Sequence, residues 1–205
     1  MKKYLLSFLA LANLVYGQSI EQLEQYFQQT QSLEADFVQR VGKADKSKVS
    51  SGHMLLKKPQ YFLWDYQKPN VQQIAGDGVK VYHYDADLEQ MTIHQPEQLI
   101  GNVALTLLSS EKPLRQSFFI SSTGSAPFLS ENAPNSVIYR LSPTVSQSEY
   151  KALWVSFQQE QLSKVLIDNG DNLTELSFSQ IKRNHQIDNK RFVLNVPKGT
   201  DIVGE

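Results

Sequence analysis

The chain has no cysteine among its 205 residues. That excludes disulfide scaffolds, thiolate metal sites, cysteine nucleophiles and lipid attachment through a cysteine. It also lacks an excess of either charge: 20 Lys and Arg stand against 21 Asp and Glu, a formal net charge of −1. A balance so close to neutral gives no electrostatic footprint for nucleic acid. Motifs that announce catalysis are missing as well. There is no Gly-rich phosphate loop followed by Lys-Ser/Thr, no nucleophile elbow and no paired-His zinc helix, so the sequence names no enzyme activity, cofactor or metal. What remains is a body that is 40% apolar, with 10 Phe, 9 Tyr and 2 Trp, enough for one domain of ordinary size with a full core.

Long apolar runs are absent too. The one at the start, Tyr4 to Val15 behind Lys2 and Lys3, is too short to span a bilayer, and Gly17 supplies the small residue that a signal peptidase needs. Residues 1–17 therefore read as a cleaved secretory signal, and residues 18–205 as a single exported domain with no integral membrane segment.

Ser19 and Gln22 fit a capping box, and Ile20, Leu23, Tyr26 and Phe27 recur at helical spacing, predicting a helix to about Gln31. After Ser32 the apolar period becomes two: Leu33, Ala35 and Phe37 share one face of a strand. Further strands are predicted at His53–Lys58, Tyr61–Tyr66, Val71–Ala75, Val79–Tyr84, Glu89–His94, Ser117–Ser121, Val137–Leu141, Ala152–Phe157, Leu162–Asp168, Leu173–Ile181 and Arg191–Val196. Pro96–Ser109 interrupts them as a second helix, with Leu99, Ile100, Val103, Ala104, Leu107 and Leu108 forming its apolar stripe. Ser121–Asn135, rich in Ser, Pro and Asn, reads as a mobile loop.

Few residues stand out chemically. His83, Asp85 and Asp87 would project from one side of an extended strand, but a hairpin end with polar turn residues is the simpler reading. His53, His94 and His185 have no partner at any recognisable spacing and read as surface or strand-face residues. The run Tyr61 to Tyr66 puts Phe62, Trp64 and Tyr66 on one face, as ordinary core or, with Phe37, as the lining of a pocket.

The segments Gly52–Tyr66, Ile74–Gly78 and Tyr82–Gln90, the Leu33–Gln39 strand and the closing Phe192–Val203 together resemble the LolA family of periplasmic outer-membrane lipoprotein carriers. The resemblance implies a half-open antiparallel β-barrel of about 10–11 strands, covered by a short helical lid over an apolar cavity. It also implies a non-enzymatic monomeric chaperone that receives acylated lipoproteins from the inner-membrane LolCDE transporter and delivers them to the outer-membrane receptor LolB. LolB is anchored through an N-terminal Cys, which this chain lacks. Trp64 matches a cavity-lining Trp, Phe62 matches a Phe near the mouth that is implicated in transfer, and Leu105, Leu107 and Leu108 fall in the lid helix. Lys58 stands where the family usually has an Arg that latches the lid, and a single ammonium on a flexible stem offers fewer donors than a planar guanidinium.

On this reading Ile20, Leu23, Phe27, Leu99, Val103 and Leu107 close over Phe37, Trp64 and their strand neighbours, with Lys58 as latch. Two alternatives stay open in the sequence: a periplasmic module of the same fold that senses lipoproteins, and an exported hydrolase on a β scaffold.

Overall fold

Period-two alternation carries most of the chain into strands, and the strands join into one sheet. The computed structural model describes residues 19–43, 46–95, 107–108, 112–130, 134–146 and 148–204. Helix α1 (Ile20–Gln29) leads into β1 (Ser32–Gly42), β2 (Lys48–Lys57), β3 (Tyr61–Lys68), β4 (Gln72–Asp77), β5 (Val81–Asp85) and β6 (Gln90–His94). Then follow β7 (Phe118–Thr123), β8 (Val137–Pro143), β9 (Ala152–Gln158), β10 (Gln161–Asp168), β11 (Leu173–Arg183) and β12 (Asp201–Val203). The order across the sheet is β12-β6-β5-β4-β3-β2-β1-β11-β10-β9-β8-β7. Every neighbouring pair is antiparallel except β12 with β6. The sheet is curved and unclosed, a half-open barrel, with twelve strands among the described residues.

Alternation gives the sheet two apolar faces. On the inner face Leu33, Ala35 and Phe37 of β1 join Met54 and Leu56 of β2, Phe62 and Trp64 of β3, and Leu153, Val155 and Phe157 of β9 in one buried cluster. Leu23 and Phe27 of α1 complete that cluster from above. The outer face is covered twice. Ile187 and Phe192 pack on Leu55 of β2, and Ala126 and Phe128 pack on Ile138, Trp154 and Leu166.

Both covers differ from the sequence expectation. Arg191–Val196 is not a strand: a 3₁₀ turn at Asn189–Phe192 is capped by the Asp188 side chain, and the chain pairs again only at Asp201–Val203. The segment must pass from β11, in the middle of the sheet, to β6 at its edge, so it crosses the strands rather than adding to them. Ser121–Asn135 is not one loop either. Residues through Thr123 belong to β7, and the segment after them is anchored by Glu175, which is 0% exposed. The Glu175 carboxylate accepts from Leu129 N at 2.6 Å and Ser130 N at 3.1 Å, and from the hydroxyls of Ser130 and Ser177. Lys164 Nζ donates to Ser130 Oγ at 2.8 Å and lies over the Phe128 ring.

Smaller differences follow local chemistry. Helix α1 stops at Gln29, where Thr30 is already extended, and β2 begins at Lys48. Of the second expected helix, Leu107 and Leu108 are helical and buried. Its remaining residues, Leu99, Val103 and Leu105 among them, lie outside the described residues, as does the 1–17 segment.

The Glu175 anchor yields a test. Glu175→Ala leaves four donors of the 129–130 segment and β11 without their acceptor, so stability should fall by about 2–3 kcal/mol, read as a lower urea midpoint with unchanged m-value.

Candidate functional site

The site is the interface between α1 and the inner face. The helix starts as its sequence dictates: Ser19 N donates to Gln22 Oε1 at 2.9 Å and Gln22 N to Ser19 Oγ. Its buried stripe is Leu23 and Phe27. They enter the cluster that holds Phe37, Phe62, Trp64, Leu107 and Leu108, while Ile20, expected beside them, is half-buried and does not join that cluster. The rings of Phe37 and Trp64 lie 5.2 Å apart, and Tyr66 meets Phe37 edge-on at 5.1 Å. Tyr66 donates to Gln39 Oε1, and burial pushes its phenol up to about 12.

Phe62 pairs with Gly76 across β3 and β4. A Cβ on Gly76 would stand 2.3 Å from the Phe62 ring, so this glycine makes room for the aromatic side chain. Phe62 is 6% exposed and sits at the end of the sheet beside the β2–β3 turn. Where the resemblance implies an apolar cavity, the described inner face is filled by the apolar side chains of α1 and of residues 107–108.

An α-helix leaves its last four carbonyls without intrahelical donors. In α1 each one finds a side chain. Tyr26 O accepts from Thr30 Oγ1 at 2.6 Å, Phe27 O from Lys58 Nζ at 2.7 Å, Gln28 O from Gln31 Nε2 at 3.2 Å and Gln29 O from Asn184 Nδ2 at 2.9 Å. Lys58 is 8% exposed, and its backbone N donates to Gln31 O. A buried ammonium at the negative end of the helix dipole is favourably placed. The other end of α1 is held by Arg115, whose guanidinium meets Glu21 at 2.6 Å and Glu24 at 3.6 Å. That bond to Arg115 holds the Glu21 carboxyl down at about 2.

Sequence reasoning missed Arg115 and Asn184, and it missed what His53 and His185 do. On the outer side of β1, Glu34 accepts from His185 Nε2 at 2.8 Å and Arg191 at 3.0 Å, with His53 Nε2 at 3.3 Å and Lys182 at 4.0 Å. His53 Nδ1 also meets Asp36 at 2.8 Å. Arg191 first, then His185 and Lys182, hold the Glu34 carboxyl down at about 2 against the opposing effect of burial. Through this hub and through Lys57, which reaches Ile187 O and Asn189, residues 184–192 are fastened to the sheet. No local signal announces contacts between groups about 150 residues apart.

The His83 cluster resolves as turn chemistry. Asp85 accepts from the backbone N of Asp87 and Leu88 and from Gln72, and Asp87 pairs with Asn70. Burial lowers the His83 pKa. Among the described residues no group of three or more His, Asp or Glu is placed to hold a metal ion, and no helix is long and apolar enough to cross a membrane.

Comparison with known proteins bears on the whole chain. The family model for the outer membrane lipoprotein carrier protein LolA matches residues 28–195. An outer-membrane lipoprotein carrier protein of Methylobacillus flagellatus is 34% identical over 97% of this chain and 99% of its own length. One from Neisseria meningitidis serogroup B is 28% identical over 97% and 96%. Among solved structures, an uncharacterized conserved protein from Thermus thermophilus shares the fold with a TM-score of 0.54 at 13% identity, covering 90% of this chain and 97% of that one.

Two outcomes follow from the geometry. Lys58→Met should loosen the end of α1 and lower amide-exchange protection there by about 1.5–3 kcal/mol, the range for a hydrogen bond to a charged group; Lys58→Arg should retain that protection. For Glu34, whose pKa drops from 4.5 to about 2 on folding, the ion cluster stabilises fully above pH 4.5 and is lost as pH falls toward 2. The gap in thermal midpoint between the wild type and Glu34→Gln should therefore shrink across that window.

Proposed function

Because this chain belongs to the LolA family, the outer-membrane lipoprotein carrier proteins, we propose that it shuttles acylated lipoproteins across the periplasm, from the inner-membrane LolCDE transporter to the outer-membrane receptor LolB. Residues 1–17 serve as its export signal and residues 18–205 as a single monomeric carrier domain. The observation that carries this reading is the covered inner face. An apolar helix stripe, Leu23 and Phe27, fills the sheet interior, while the helix is tethered by polar contacts at its two ends.

Acyl chains gain about 0.8 kcal/mol per buried methylene, so one sixteen-carbon chain fully buried is worth on the order of 12 kcal/mol. A permanently open apolar cavity would bind such chains too tightly to release them. In this molecule the ligand must first displace α1 and the helical residues 107–108, whose burial offsets the gain. Phe37 and Trp64 then line the acyl site with Leu107 and Leu108. Ile20, Leu23 and Phe27 form the moving cover, and Lys58 is its latch. Phe62, at the end of the sheet, guides transfer to the receptor.

The test is reconstitution with a purified triacylated lipoprotein. The protein lacking residues 1–17 should form a soluble one-to-one complex with the lipoprotein and pass it to LolB, and Phe62→Glu should load but fail to pass it on. Failure of the unsubstituted protein to keep the lipoprotein in solution would overturn the carrier reading, and normal transfer by Phe62→Glu would overturn the role of Phe62.

A further inference from the structure

Among the described residues four buried side-chain polar atoms have no hydrogen-bond partner: Tyr26 Oη, Trp64 Nε1, His83 Nε2 and His185 Nδ1. Three of them have a recourse. The Tyr26 hydroxyl rotates and both donates and accepts, a histidine ring can carry its proton on either nitrogen, and His185 already reaches Glu34 through Nε2. The indole of Trp64 has none: its N–H donates only, in a direction fixed by the plane of the ring.

Trp64 is 1% exposed. Its cross-strand neighbours are Met54 of β2 and Ile74 of β4, and the Phe37 ring lies 5.2 Å away, so its surroundings are apolar. One polar group shares that face. The Tyr66 hydroxyl, two residues on, gives its proton to Gln39 Oε1 at 2.9 Å; the indole acts to lower its pKa against burial but does not meet it in hydrogen-bond geometry. A buried N–H without an acceptor is rare and costly, and here it stands on the sheet, where it stays when α1 lifts.

A ligand that answers this N–H must bring an acceptor without a donor, on a body otherwise apolar enough for Phe37, Met54 and Ile74. An acyl ester has that chemistry, and a bare alkyl chain does not. The depth agrees with it. Trp64 lies two residues along β3 from Phe62 at the end of the sheet, about 7 Å further in, where the carbonyl of a chain that enters methyl-first comes to rest while its methylenes run on inside.

We propose that Trp64 Nε1 donates its hydrogen bond to an ester carbonyl of the diacylglyceryl group on the cargo, so that the site reads the acyl linkage as well as the chain. The inference rests on the carrier reading and adds to it a hydrogen bond made only in the loaded state.

Two probes separate the two ideas: an N-palmitoyl cysteinyl peptide with an S-dipalmitoylglyceryl group, and the same peptide with ether-linked hexadecyl chains in place of the esters, each competed against a fluorescent fatty acid bound to the protein. The wild type should prefer the diester by about tenfold, the equivalent of one net hydrogen bond. In Trp64→Phe, which keeps an aromatic ring without the donor, that preference should vanish or invert, because a carbonyl buried without a donor is penalised. The unsubstituted protein gives a second reading. It has 2 Trp, and Trp154 lies on the outer face, so the indole N–H resonance of Trp64 should move downfield with the diester and not with the diether, while that of Trp154 stays. Phospholipids carry the same esters, so dipalmitoyl phosphatidylglycerol is the third competitor; with one chain fewer to bury it should bind more weakly than the diester peptide, and equal or tighter binding would overturn the cargo as the source of the carbonyl. Equal binding of diester and diether by the wild type, a preference that survives Trp64→Phe, or an unmoved Trp64 resonance would overturn the donor role and leave the carrier reading standing. Failure of the wild type to bind any of the probes would overturn both.

Discussion

The seat of α1 on the sheet depends on where its last carbonyls go. Unsatisfied oxygens at a partly buried helix end would be costly, and here the last four are answered by Thr30, Lys58, Gln31 and Asn184. Two of those donors are local; the other two come from the β2–β3 turn and from the residue after β11. The position of the helix is thus tied to two separate parts of the sheet, and with it the position of Leu23 and Phe27 over Phe37 and Trp64. When the helix lifts, water takes over these oxygens. The polar contacts therefore cost little to exchange, about 0.5–1.5 kcal/mol for each neutral pair and about 1.5–3 kcal/mol for the Lys58 ammonium, and they fix geometry. The cost of opening lies in the apolar stripe, at about 1.5–3 kcal/mol for each large side chain withdrawn.

The cover proposed to move needs a frame that does not. The outer face supplies it through two carboxylates on neighbouring strands. Glu175 of β11 holds the 129–130 segment by backbone donors, and Glu34 of β1 holds residues 184–192 by His185 and Arg191. Both covers bury aromatic side chains, Phe128 and Phe192, against the sheet. The two apolar faces therefore serve different ends. The outer one is sealed by chain that is tied down with charged hydrogen bonds, and the inner one is sealed by a helix whose apolar contacts, in the proposed function, are exchanged for a ligand of the same character.

The sequence made the strands legible because one face of each is buried, so Leu33, Ala35 and Phe37 or Phe62, Trp64 and Tyr66 stand out at period two. It made the start of α1 legible because Ser19 and Gln22 satisfy each other locally. The covers of the outer face were illegible for the opposite reason. Phe192, Leu194 and Val196 alternate as a strand would, yet only Phe192 reaches a core, and the crossing from β11 to β6 is set by topology. The reading of Ser121–Asn135 as one loop missed the end of β7 and the anchor at Leu129 and Ser130, because that anchor, Glu175, sits 45 residues beyond Ser130. Asn184 bonds to Gln29 across 155 residues and Arg115 to Glu21 across 94. Such pairs obey no spacing rule, and the family resemblance supplied Lys58 only because that position lies inside a recognisable segment.

A filled interior also bears on the direction of traffic. In the proposed function, the affinity for acyl chains is the difference between two burials, that of the chains and that of the helix stripe they displace. Both scale with apolar area, so their difference is far smaller than either and is sensitive to the fit of α1. Small changes at the helix ends, where Lys58 and Arg115 act, then shift a balance that large apolar terms set up. A receptor with the same kind of interior but a less complete internal cover would take the ligand downhill without any energy source. Loading, in the same proposal, falls to the donor, because the closed helix of the free protein is already the satisfied state.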